Sequence, residues 1–115
     1  MLMQLASLYM SHQRYKEAEP LYKRILKIRN KTNGERSAES ISALLNLGEL
    51  YIVQGDFAEA EIFIKSAVEA ATILFDPSDD RLAHVISEYA GVLSKLGKEE
   101  ESQSLQKKAQ ASSKL

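Results

Sequence analysis

The chain has 115 residues, enough for one compact domain. Charged residues make up 27% and hydrophobic ones 44%, a balance that excludes a disordered tail. Net charge is −1, so no global field draws the chain to nucleic acid or to an anionic membrane. Cysteine is absent, which excludes disulfides and thiolate metal sites and fits a reducing, cytoplasmic setting.

Residues 1–10 are apolar, lack a basic leader and are interrupted by Gln4, Ser7 and Tyr9. They read as a core helix rather than a signal peptide or a membrane span. Leu2, Leu5, Leu8 and Tyr9 have helical spacing, with His12-Gln13-Arg14 as the turn. A second helix is expected to about Asn30, carrying Ala18, Leu21, Tyr22, Ile25, Leu26 and Ile28. Pro20 is expected in or near its first turn, where a missing N–H costs least. Residues 31–36, with Asn33-Gly34, read as a loop, and Ser37 as the N-cap of a third helix reaching about Gln54. That helix is expected to bury Ile41, Leu44, Leu47 and Tyr51. Gly55 ends it in a left-handed conformation, and Asp56 caps a fourth helix with Phe57, Ala60, Ile64, Ala67 and Val68. Asp76-Pro77-Ser78-Asp79 is a second linker. The fifth helix holds Leu82, Val85, Ile86, Tyr89, Val92 and Leu93 and stops at Gly97. The sixth opens on Lys98-Glu99-Glu100-Glu101 and closes on Lys107-Lys108, which complements its dipole. Its thin apolar content, Leu105 and Ala109, suits the polar outer helix of a stacked array. No segment alternates as a strand does. The expected architecture is all-α: six helices in three hairpins forming a right-handed α-solenoid. It is read as one domain, 1–115, with units at about 1–34, 35–76 and 77–115.

The hairpins repeat at a fixed period. Leu5-Ala6-x-x-Tyr9 recurs 42 residues on as Leu47-Gly48-x-x-Tyr51, and again as Tyr89-Ala90-x-x-Leu93. Ala18, Ala60 and Ser102 follow at equal spacing. Small residues at such positions let helices cross closely. The pattern Leu44-x2-Leu47-Gly48-x2-Tyr51, Gly55, Ala60-x3-Ile64, Ala67 resembles the tetratricopeptide repeat, a helix–turn–helix unit. The first unit matches through Leu2, Leu5, Ala6, Tyr9, Ala18 and Tyr22. The third matches through Ile86, Tyr89, Ala90, Leu93, Gly97, Ser102 and Ala109. The period of 42, the segment from Tyr15 through Pro20 to Arg24 and the acidic linker 76–80 are similar to the kinesin-light-chain type of repeat. The late proline is missing, with Asn30 and Thr72 in its place, and the Asn-Asn-Leu-Ala run of that type survives only as Leu45-Asn46-Leu47-Gly48.

The resemblance implies a protein-interaction scaffold, not an enzyme. Its first helices would line a concave groove that takes a peptide or helix of a partner. The faces left over by the apolar stripes carry Gln4, Ser7 and Ser11; Ser42, Leu45, Asn46, Glu49 and Val53; and His84, Ser87, Glu88, Gly91, Ser94 and Lys95. From these the candidate groove residues are Gln4, Ser7, Ser42, Asn46, Glu49, Ser87, Glu88 and Lys95. Asn46 matches the family's groove asparagine, whose amide donates to and accepts from a ligand backbone. The competing reading is a solvated polar residue on an exposed helix face. Its counterparts, Gln4 and Glu88, leave the asparagine ladder incomplete. Groove charge is mixed, with Glu49 and Glu88 against Lys95 and His84, which disfavours an acidic peptide.

Catalysis has little to work with. His12 and His84 are the only histidines, and no H-E-x-x-H or phosphate-cradling glycine loop exists. Linker 76–80 lacks the ligand spacing of a calcium loop, and no cofactor or metal is expected. The cluster Lys23, Arg24, Lys27, Arg29 and Lys31 has no interleaved aromatics for base stacking and reads as a solvated convex face. At the other end, Met1, Leu2, Met3, Leu5, Leu8 and Met10 are too many for one helix to cover. The isolated chain is therefore expected to pair with a copy of itself there, unless further repeats precede it.

Overall fold

The computed structural model describes residues 2–114, with backbone only for Glu99 and residues 108–114. The expectations for Met1, Lys108 and Ala109 lie outside the described side chains. Six helices follow in order: α1 (Leu2–Ser11), α2 (Tyr15–Asn33), α3 (Ala38–Val53), α4 (Phe57–Leu74), α5 (Asp80–Lys95) and α6 (Glu99–Lys114). There is no strand among the described residues. Each helix packs chiefly on its neighbours in sequence, α1 on α2 through to α5 on α6, which is the contact pattern of a solenoid. The molecule is a slab of 38 × 32 × 19 Å.

Local chemistry explains the boundaries. Ser37 Oγ accepts from Ser40 N at 3.1 Å and caps α3. Asp56 Oδ1 accepts from Glu59 N at 3.4 Å at the start of α4. Asp79 Oδ1 takes Arg81 N at 2.8 Å at the start of α5. The three intra-hairpin turns share a left-handed residue at equivalent places. Gly55 and Gly97 both have φ +81°, and in the first hairpin Gln13 holds that position at φ +60°.

Two expectations about α2 are corrected. The helix runs to Asn33, so residues 31–33 are helical rather than loop. Gly34, at φ +94°, is where the chain turns away. Pro20 lies inside the helix, in its second turn, because the helix already starts at Tyr15. The helix begins directly after the expected turn at residues 12–14, and Tyr15 packs partly buried on the core. Pro20 and Lys16 are both exposed, so water can reach the Lys16 carbonyl that proline leaves without a donor.

The core divides in two. One part joins Ala6, Ala18, Tyr22, Ile25, Leu47, Leu50, Ala60 and Ile64 across the first two hairpins. The other joins Ile41, Ala67, Ala71, Leu82, Val85 and Ile86 between the second and third. The small residues sit at the crossings within hairpins. A β-carbon on Gly48 would overlap Ile64 Cγ1 and lie 2.8 Å from its Cδ1. In the third hairpin, Ser102 is buried where its counterparts are alanines, and its Oγ donates to the Ala90 carbonyl at 2.7 Å. That bond satisfies a hydroxyl that would otherwise be orphaned in the core. Leu44, expected in the core, is half-buried at the edge of the second cluster.

Candidate functional site

Helix α3 meets α1 at one point and shares a cavity with α5. Asn46 Nδ2 of α3 approaches Met3 Sδ of α1 at 3.7 Å. Between α3 and α5 an open cavity of about 320 Å3 is walled by Ile41, Ser42 and Leu45 on one side and His84 and Val85 on the other. Phe75, from the end of α4, and Asp80 and Arg81, from the first turn of α5, close one end.

The candidate residues fall into two sets. Ser42 lines the cavity. Asn46 is half-buried and turned toward α1. Glu49 is exposed on α3, and Glu88, half-buried, faces it from α5. Burial holds the Glu88 carboxyl above the ordinary glutamate value, the nearby His84 opposes that shift, and the Glu49 charge adds to it. His84 Nε2 is 3.3 Å from Glu88 Oε1, one turn along the same helix. Gln4 and Ser7 are exposed on α1, Ser87 and Lys95 on α5, and none of the four lines the cavity.

Phe75, Asp80 and Arg81 had no signal in the periodicity, because they belong to a linker and a first turn. Their role depends on how the linker folds back. Phe75 leaves α4 in an extended conformation, with φ −102° and ψ 148°. The Arg81 guanidinium stacks 4.2 Å over the Phe75 ring. The same side chain bonds Asp79 twice, Nε to Oδ1 at 3.1 Å and Nη2 to Oδ2 at 2.8 Å. The cavity's arginine is therefore already paired.

Elsewhere, the basic face of α2 is partly used in structure. Lys23 pairs with Glu19 at 3.0 Å, and Arg29 Nη1 donates to the Glu39 carbonyl at 2.9 Å. A larger cavity of about 800 Å3 opens at the linker end, among residues 33–39 with Leu74, Phe75 and Arg81. Its charges balance, Glu35 and Glu39 against Arg36 and Arg81, so it favours no class of ligand. Among the described residues no helix is long and apolar enough to cross a membrane, and no group of three or more acidic or histidine side chains could hold a metal.

Solved structures share this arrangement. BtubC (BKLC) from P. vanneervenii superposes with a TM-score of 0.87 at 23% identity, over 95% of this chain and 44% of that one. The nearly identical TPR-like repeats of a candidate kinesin light chain from Podosopora anserina superpose with a TM-score of 0.82 at 18% identity, over 94% of this chain and 51% of that one. A variant of that protein with a single substitution gives 0.84 at 18% identity over the same shares. At these identities the likeness shows the fold, and the chain spans about half the length of the solved chains it matches. No curated protein matches it in sequence. The model of the tetratricopeptide repeat matches twice, over residues 1–73 and 39–114, so that together the matches cover nearly the whole chain. The chain therefore belongs to the tetratricopeptide repeat family, a fold that generally serves as a protein-interaction module, and its fold is similar to that of kinesin-light-chain TPR-like repeats.

Proposed function

We propose that the chain binds an extended or helical segment of a partner protein along the face of α1, α3 and α5. The observation that carries this reading is the open apolar cavity between α3 and α5, walled by side chains of both helices, with Asn46, Glu49 and Glu88 further along the same two helices. Such a cavity offers an anchor point, and the polar residues beside it offer backbone and charge contacts. The chemistry of the face supports a non-catalytic role. The net charge of −1 supports a protein rather than a nucleic-acid partner, and the lack of cysteine a cytoplasmic setting. The test is selection of random peptides on the chain, followed by affinity measurement. Asn46→Ala with Glu49→Lys is expected to weaken selected peptides about tenfold, equivalent to about 1.4 kcal/mol. Arg24→Ala with Lys27→Ala, on α2, is expected to leave them unchanged. Failure to select any peptide, or equal loss from both pairs, overturns the reading.

A second reading rests on α1. Leu5 is 40% and Leu8 52% exposed on the outer hairpin, an apolar strip left open among the described residues. We propose that two isolated chains pair through it as a two-fold dimer. Light scattering at tens of micromolar is expected to give twice the chain mass, with Leu5→Glu and Leu8→Glu restoring the monomer. A monomer before substitution rules the pairing out.

A further inference from the structure

We infer that the α3–α5 cavity takes one apolar side chain of a partner segment, and that Glu49 and Glu88 take a lysine or arginine of the same segment. The inference rests on the groove reading above and gives the partner its chemistry: an apolar anchor next to a base.

The apolar part follows from the lining. Ala38, Ile41, Leu45, Phe75 and Val85 make the wall largely apolar, and the volume of about 320 Å3 is at the small end of ligand pockets, which run from about 300 to 1,000 Å3. The cavity is open, so it suits a side chain presented from outside rather than an enclosed metabolite.

The basic part follows from which charges remain available beside it. Arg81 is held by both oxygens of Asp79 and by the Phe75 ring. Asp80, at the same end, is exposed. At the other end, Glu49 is four residues beyond Leu45 on α3, and Glu88 four beyond His84 on α5. Each is thus one turn further along its helix, about 5.4 Å from the cavity wall. The repeat places Glu88 more closely. Asn46 reaches Met3 across α1 and α3, and Glu88 and Leu45 occupy the equivalent positions 42 residues on. By that equivalence Glu88 is placed next to Leu45, which walls the cavity, although Glu88 does not itself line it. The Glu49 charge adds to the cost of ionising Glu88, and His84, one turn away on the same helix, opposes it. Lys95 is seven residues past Glu88, two turns away. A cation arriving between the two carboxylates relieves their repulsion, whereas an acidic side chain would add to it.

Spacing completes the motif. A gap of one helical turn matches two residues of an extended segment at about 3.3 Å each, or three to four residues of a helix. The partner segment thus reads Leu, Ile, Met or Phe with Lys or Arg two to four positions away.

The probe is a set of synthetic 12-residue peptides with one Leu or Phe in a Ser/Ala background. Lys, Glu or Gln is placed two, three or four positions from the anchor, and binding is read by fluorescence anisotropy. Lys peptides are expected to bind about tenfold tighter than their Glu counterparts at low salt, with the gap closing as salt rises. Glu49→Lys with Glu88→Lys should reverse that preference. Ser42→Trp, an exposed position at the cavity, and Leu45→Arg should each abolish binding of every peptide, with circular dichroism confirming the fold. If Glu peptides bind as well as Lys peptides, and Ser42→Trp still blocks them, the groove reading stands and the basic preference is overturned. If peptides bind untouched by Ser42→Trp, or none binds, both readings are overturned.

Discussion

At Gly48 the packing of the central hairpin leaves no room for a β-carbon. Ile64, which that carbon would strike, is itself fully buried, so it has nowhere to move. Gly48→Leu is expected to destabilise the fold by about 3 kcal/mol or more, at the upper end of overpacking costs. Thermal melting checks this, and an unchanged midpoint would show that the crossing is looser than its geometry. Gln13 presents the opposite case. It stands where the other two hairpins have glycine, and a side chain in the left-handed region costs about 1–2 kcal/mol. Glycine's greater freedom in the unfolded chain offsets about 0.5–1 kcal/mol of that. Gln13→Gly should therefore raise stability by about 0.5–1 kcal/mol, measured by urea unfolding.

Between elements, the first two hairpins are tied by a polar link on the rim of an apolar contact. Tyr51 Oη of α3 donates to Glu19 Oε2 of α2 at 2.5 Å, and Lys23 pairs with the same carboxylate. The Tyr51 ring stacks on Phe63 at 5.5 Å between centroids, which fixes the direction of the hydroxyl. The bond to Tyr51, followed by that to Lys23, holds the Glu19 carboxyl below the ordinary glutamate value. A carboxyl lowered on folding contributes stability above its unfolded value and loses it as pH falls through the folded one. Tyr51→Phe should thus cost about 1 kcal/mol at neutral pH, with the difference from the parent chain shrinking as acid protonates Glu19. A constant difference down to about pH 2, below the carboxylate range, would show that the tyrosine acts through packing alone. Pro20, one residue from Glu19, belongs at this scale too. It lies in the second turn of α2, because the helix begins at Tyr15, directly after the expected turn at residues 12–14.

Over the whole molecule, three hairpins stack so that each buries its apolar faces on its neighbours in sequence. Helix number and type, the hairpin pairing, the caps at Ser37 and Asp56, the left-handed turn at Gly55 and the small crossing residues were legible from the chain alone. They depend on local capping chemistry, on helical periodicity and on a 42-residue period. Of the candidate site, the sequence placed Ser42, Asn46, Glu49 and Glu88 on the faces left over by the apolar stripes, because periodicity assigns faces. It did not show that Ser42 and Leu45 share a cavity with Phe75 and Arg81, that Asn46 turns toward Met3, or that Tyr51 reaches Glu19. Those facts depend on how far one hairpin shifts against the next and where a linker folds back. Distances between residues far apart in the chain follow from packing, not from spacing. The repeat thus determined by itself what kind of molecule this is, and only the stacked hairpins decided which side chains meet.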